Sequence, residues 1–313
     1  MPPALTAIIR ADAFAGHDTG MHPENPGRYR AILAALRDAG MLDQGRDLPH
    51  EPASDEAILR VHTAAHLHLL KSIAAQGGGW IDADTMVAPD SLDVARRAAG
   101  GAIAAADAAL AGRRAFALGR PPGHHATATH AMGFCLLNSI AIAAAHARHH
   151  GAERVAIIDW DVHHGNGTQD IFYEDGDVWY VSIHQHPLYP GTGYPNETGR
   201  GAGAGATANY PLPPGTGDAE WLATYDARVA PFIEASRPDL ILLSAGYDAH
   251  LDDPIGGCRV SDDGFAALVA RTRDLADRLC DGRLAVVLEG GYDPDALGRC
   301  VVRTVRALDP ATP

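Results

Sequence analysis

The densest chemistry in the chain lies in Asp159-Trp160-Asp161-Val162-His163-His164-Gly165-Asn166-Gly167, directly after the apolar run Val155–Ile158. Two aspartates and two histidines fall within the six residues 159–164. Asp and His present oxygen and nitrogen donors suited to Zn²⁺ or Fe²⁺. In open parallel sheets, ligands gather at the carboxyl ends of strands. If the chain stays extended there, alternate side chains share one side. A catalytic zinc site commonly has three protein ligands and an open position, so a further donor must come from elsewhere. The apolar run Leu240–Ser244 leads into Ala245-Gly246-Tyr247-Asp248-Ala249-His250. Asp248 is the better candidate. His250 is the alternative, and it is expected at the surface.

Two more groups follow apolar runs. Gly119-Arg120-Pro121-Pro122-Gly123-His124-His125-Ala126 holds adjacent histidines in a Pro/Gly-rich loop. Such a pair can supply a base and an acid near neutral pH. Glu289-Gly290-Gly291-Tyr292 follows Ala285–Leu288. Its glycines let the backbone take an unusual path and offer a Tyr hydroxyl at the sheet's end.

These groups need elements to position them. Runs rich in Val, Ile and Leu predict strands at Leu5–Arg10, Ala115–Leu118, Val155–Asp159, Val178–Ile183, Leu240–Ser244 and Ala285–Leu288. Little alternation within them implies burial on both faces. Helices are predicted at Pro26–Ala39, Asp55–Gln76, Ser91–Ala111, Leu136–His150, Asp218–Ser236, Ser261–Cys280 and Asp295–Leu308. The alternation predicts an α/β fold: a mainly parallel sheet with helices on both faces, built as one domain over residues 1–313. The stretch His184–Asp218 reads as a long functional loop. Its start is expected to form an ordered rim and its GRGAGAGA tract to be mobile.

Composition narrows the function classes. The 313 residues are 46% hydrophobic and 20% charged, an ordinary globular balance. The net charge is −14. That argues against nonspecific nucleic-acid binding, which needs a basic surface, but it does not exclude a small cationic substrate, which an acidic surface would attract. The four cysteines show no CxxC spacing, which implies a reducing, cytoplasmic setting. The N-terminal MPPALTAIIRAD lacks the pattern of a signal peptide. No run of about 18 apolar residues predicts a membrane span.

The segments HPENPGR, RPPGHHA, GFCLLNS, DWDVHHGNGTQ, SAGYDAH and EGGYD occur in this order across nearly the whole chain. Together they resemble the histone deacetylase family, in its arginase–deacetylase fold. Asn166, where class I members typically carry Asp, and the EGGY tail resemble class II. The resemblance implies a Zn²⁺ amidohydrolase acting on acyl-lysine or a related acylated amine. It assigns Asp161, His163 and Asp248 to zinc. It makes His125 the general base with His124 as its electrostatic partner, oriented by Asn166 and Asp159 respectively. It makes Tyr292 an oxyanion donor; members with His at that position are poor amidases. It also implies structural K⁺ at Asp159, Asp161, His163, Ser182 and Ile183, with an outer site around Phe172, Asp175 and Val178. Gly133, Phe134 and Tyr189 match the walls of an acyl-lysine tunnel, and Asp84 a rim aspartate that grips substrate. Arginases of the same fold carry a second metal site, whose Asp is replaced here by Gly165. Polyamine deacetylases place Glu seven residues beyond the third zinc ligand, where this chain has Ile255. The Asp252-Asp253 pair keeps the polyamine alternative, and a non-catalytic metal scaffold is the rival of another class. The oligomeric state is left open, a homo-oligomer included.

Overall fold

A computed structural model describes residues 5–309. Seven strands form one sheet: β1 (Ala7–Ile9), β4 (Ala115–Ala117), β5 (Val155–Asp159), β6 (Val178–Gln185), β7 (Thr207–Leu212), β8 (Leu240–Ala245) and β9 (Leu284–Leu288). A small antiparallel pair, β2 (Gly79–Trp80) and β3 (Met86–Val87), stands apart. The order in the large sheet is β1-β4-β9-β8-β5-β6-β7, and every pairing is parallel. Each predicted strand is present.

Alternate strand residues feed two cores. Ile8, Phe116, Ile158, Leu243 and Val286 join one, packed with α1 (Pro26–Asp38), α9 (Asp262–Leu279) and α10 (Pro294–Leu308). Ile9, Ala115, Ile157, Leu242 and Ala285 join the other. That face carries α4 (Ser91–Leu110) and α5 (Ser139–His149), both rich in alanine. Small residues bring α4 close to its neighbours. A Cβ on Gly100 would stand 1.9 Å from the Glu51 carbonyl oxygen.

The structure corrects several boundaries. The predicted helix Asp55–Gln76 is two, α2 (Asp55–Leu59) and α3 (Ala64–Ala75). Ser54 and Thr63 each accept an amide hydrogen bond at a helix start, from Ala57 N at 3.2 Å and His66 N at 3.2 Å. Between them, His62 turns inward, bonding the Thr127 carbonyl at 2.9 Å and accepting from Asn138 N at 2.9 Å. Capping by Ser and Thr outcompetes helix continuation there. The helix predicted at Asp218–Ser236 runs as α7 (Asp218–Thr224), a π-helical turn at Tyr225–Val229, and α8 (Ala230–Ser236). The π-turn precedes Pro231, which lacks an amide donor. The segment read as a loop contains β7. As the edge strand, β7 tolerates Pro211, which a central strand would not. The GRGAGAGA tract packs against the body, where a Cβ on Gly203 would stand 2.6 Å from the Tyr173 carbonyl oxygen. A short helix, α6 (Asn166–Phe172), was not among the predicted elements.

Candidate active site

Four neighbouring central strands deliver the candidate residues from their carboxyl ends. In sheet order, β4 leads to His124 and His125, β9 to Glu289 and Tyr292, β8 to Asp248, and β5 to Asp161 and His163. Their ends are level, since Asp159 pairs with Ser244 and Ala245 with Leu288.

Past Asp159 the chain bends rather than staying extended, yet the alternation survives. Trp160 and Val162 enter the core, while Asp159, Asp161 and His163 face the site. Each aspartate fastens the turn by accepting an amide two residues on: Asp161 N to Asp159 Oδ1 at 3.1 Å, and His163 N to Asp161 Oδ1 at 2.9 Å. His163 Nδ1 lies 2.9 Å from Asp161 Oδ1 and 3.1 Å from Asp248 Oδ2. One donor atom from each of Asp161, His163 and Asp248 lies within 4.8 Å of the others. His250 does not join them. It is buried, not at the surface as expected, and its Nε2 lies 3.0 Å from Asp262 Oδ1.

The donor set fits a divalent cation. Asp161 and Asp248 are 1% and 0% exposed, so two carboxylates face one another out of water. Burial and the Asp161 charge push the Asp248 carboxyl up to about 7, which a cation between them would reverse. Two glycines make room for the cluster. A Cβ on Gly246 would stand 2.2 Å from Asp161 Oδ2, and one on Gly290 2.1 Å from Asp248 Oδ2.

The histidine pair sits beside this cluster, with ring centroids 4.0 Å apart. His124 Nδ1 lies 3.0 Å from Asp159 Oδ2, and His125 Nδ1 lies 2.8 Å from Asn166 Oδ1. Burial disfavours charge on both rings. For His124 the Asp161 and Asp159 carboxylates outweigh it and raise the ring to about 10. For His125 burial and the neighbouring His124 hold the ring well below its ordinary value. The pair is therefore split into a cationic and a neutral imidazole.

Aromatic rings line the site beside His125 and Tyr292. Tyr189 meets His125 edge-on at 5.1 Å, and Phe134 meets Tyr292 edge-on at 5.7 Å. Gly133, at φ +55°, passes so close that a Cβ would stand 2.5 Å from the His125 ring. Thr85 ties the Asp84 loop to this wall, accepting from Phe134 N at 3.2 Å and donating to Asp84 Oδ1 at 3.0 Å. Ser182 and Ile183 are buried on β6, with Ser182 in register with Asp159. Ile255 is half-buried. Burial splits the acidic pair, leaving Asp252 exposed. Asp252 pairs with Arg299 Nη2 at 3.2 Å, and Asp253 is turned inward.

A buried charge network behind the site escaped the sequence reading. Glu24 takes a forked pair from Arg120, at 2.8 and 2.6 Å, and lies 3.1 Å from Arg28 Nη1. Arg28 in turn donates to the carbonyls of Gly291 and Glu289, each at 2.6 Å. Glu289 Oε2 accepts from Gly123 N at 2.6 Å and His124 N at 3.1 Å. The network thus ties the Tyr292 loop to the histidine loop. The only signal was charge inside HPENPGR, RPPG and EGGY, which does not distinguish a buried group from a solvated one. Glu24, fully buried, is driven up by burial, but Arg120 and Arg28 prevail and hold it down at about 2. A depressed carboxylate stabilises the fold above its unfolded pKa, and the gain is lost as pH falls toward the folded value. Glu24→Gln should therefore cost about 3 kcal/mol at pH 7. The gap from wild type should shrink as pH falls from about 4.5 toward 2. Urea melts at pH 7 and pH 3 check this; an equal gap at both pH values contradicts it.

Comparisons with known proteins point to one family. A family model described as "Histone deacetylase domain" matches residues 22–308. A "Probable deacetylase" of Archaeoglobus fulgidus is 44% identical over 293 residues, covering 92% of this chain and 81% of its own. A "Histone deacetylase-like amidohydrolase" of Pseudomonas aeruginosa is 42% identical over 316 residues, covering 98% and 82%. The solved structure described as "Crystal Structure of HDA15 HD domain" superposes with a TM-score of 0.92 at 36% identity, covering 97% of this chain and 88% of that one. Those matches span the strands and loops that converge on the site, and on them this chain belongs to the histone deacetylase family, amide-hydrolysing enzymes of the arginase–deacetylase fold.

Proposed function

We propose that the protein is a zinc-dependent deacylase of acyl-lysine or a related acylated amine, acting as one catalytic domain. The observation that carries this is the convergence of Asp161, His163 and Asp248 beside the adjacent rings of His124 and His125, with the loop that bears Tyr292 tied to Asp161 through Gly290 N at 2.8 Å. Asp161, His163 and Asp248 would hold the metal. Zinc bound there polarises an amide carbonyl and lowers the pKa of a water; Fe²⁺ suits the same donors. His125 is held neutral, and Asn166 Oδ1 accepts a hydrogen bond from its Nδ1–H. Its Nε2 is therefore the free base, which takes a proton from the attacking water and passes it to the leaving amine. His124, cationic and fixed by Asp159, offsets negative charge developing beside it. The Tyr292 hydroxyl donates to the carbonyl oxygen as that oxygen gains charge.

Gly133, Phe134 and Tyr189 would wall the acyl-lysine stem, with Asp84 at the rim and Ile255 as an apolar gatekeeper. With Asp253 turned inward, Asp252 alone of the pair faces solvent, which supports acyl-lysine over acetylpolyamine. Asp159, Asp161, His163, Ser182 and Ile183 would hold a structural K⁺. Four buried free thiols suit the cytoplasm. No helix among the described residues is long and apolar enough to cross a membrane.

The test is a substrate panel of acetyl-lysine peptides, longer acyl-lysines and acetylpolyamines, read as released carboxylate. Acyl-lysines should be turned over, a hydroxamate should inhibit competitively, and a chelator should inactivate until zinc returns. Bound zinc without release from any substrate would support the scaffold reading. Turnover confined to acetylpolyamines would overturn the substrate assignment.

A further inference from the structure

Asp253 has no part in the chemistry above, yet it is buried, at 9% exposure, five residues beyond Asp248. Its Oδ2 accepts from Tyr292 N at 2.6 Å and Asp293 N at 3.3 Å. Its Oδ1 accepts from Ile255 N at 2.9 Å and Gly256 N at 3.4 Å. One carboxylate therefore joins the loop after β8 to the loop after β9. Hydrogen bonds to an ionised acceptor are roughly twice as strong as neutral ones.

The place of this tether matters. Tyr292 follows Gly290 and Gly291, and Gly291 sits at φ +121°. A diglycine leaves the backbone path open. On the far side, Asp293 caps α10 by accepting from Ala296 N at 2.7 Å. Tyr292 thus lies between a permissive joint and a fixed helix start, and Asp253 holds its amide directly. The same carboxylate holds the turn of Ile255 and Gly256. A Cβ on Gly256 would stand 2.0 Å from the Asp248 carbonyl oxygen, so that turn is seated against the metal-site loop.

We propose that Asp253 is a positioning residue for turnover: it tethers the Tyr292 backbone so that the hydroxyl meets the reacting carbonyl, and it keeps the Ile255 turn in register with it. This rests on Tyr292 acting as an oxyanion donor. A clamp that served stability alone would leave the chemical step of the folded enzyme unchanged.

A double-mutant cycle on the zinc-loaded enzyme separates the two. Asp253→Asn keeps the shape but turns an amide donor toward the Tyr292 N–H or the Ile255 N–H, so one arm of the tether is lost. Misplacing a reacting group by about 1 Å can cost about 10²-fold. The variant should lose about 10- to 100-fold in kcat, with KM moved less than about threefold. In a Tyr292→Phe background the same change should cost less than about threefold, because coupled residues are not additive. Equal losses in both backgrounds, or an unchanged kcat in the first, overturn the tether. A harmless Tyr292→Phe overturns instead the reading of Tyr292 itself. Should Asp253→Asn not fold, hydrogen exchange on the wild-type holoenzyme decides. The Tyr292 amide should be protected like the amides of β9, and exchange at the rate of open loop amides overturns the tether.

Discussion

Asp248→Ala is expected to abolish measurable turnover and to empty the metal site. Losing a partner that merely orients a metal ligand typically lowers affinity about 10- to 100-fold, and losing a ligand should exceed that. The change also removes the acceptor of Val162 N, at 2.8 Å, which leaves a buried donor unpaired at a cost of about 1–3 kcal/mol. Asp248→Asn separates the effects, because its side-chain oxygen can still accept from Val162 while the charge is gone. Both variants should lose zinc by elemental analysis, but only the alanine should lose appreciable stability. Wild-type activity in either would remove Asp248 from the site.

Tyr292→Phe is expected to cut kcat by about 10²–10³, or roughly 2.7–4 kcal/mol, the usual effect of losing one oxyanion donor. The contact strengthens mainly in the transition state, so KM should move little. The ring keeps its packing, edge-on to Phe134 and 4.8 Å from the Arg28 guanidinium. Zinc content and melting temperature should therefore stay close to wild type. Steady-state kinetics on one good acyl-lysine peptide checks this. A rate within about threefold of wild type, too small a loss for such a donor, would make Tyr292 a packing residue.

Some of this protein was legible in one dimension. Asp159, Asp161 and His163 are close in sequence and directly follow an apolar strand, so local geometry alone brings them near one another. The same holds for His124 with His125, and for Tyr292 after its diglycine. Strands buried on both faces announce themselves as unbroken apolar runs, which is why every predicted strand is present. Elements without that signal were missed. The sequence of β7 contains Asn209 and Pro211, and α6 begins inside the metal-ligand motif.

Only the tertiary structure decided which distant groups meet. The sheet neighbours β4 and β9, like β8 and β5, are far apart in chain order, and the pairing aligns Asp248 with Asp161 while turning His250 away. Charge in the sequence does not disclose burial. Glu24, Arg28, Arg120, Glu289 and Asp253 look like solvated residues, yet all are buried and bonded across long separations. A side chain's chemistry is written locally. Its desolvation and its partners depend on packing between elements, and so the donors were readable from the sequence while the groups that hold them in place were not.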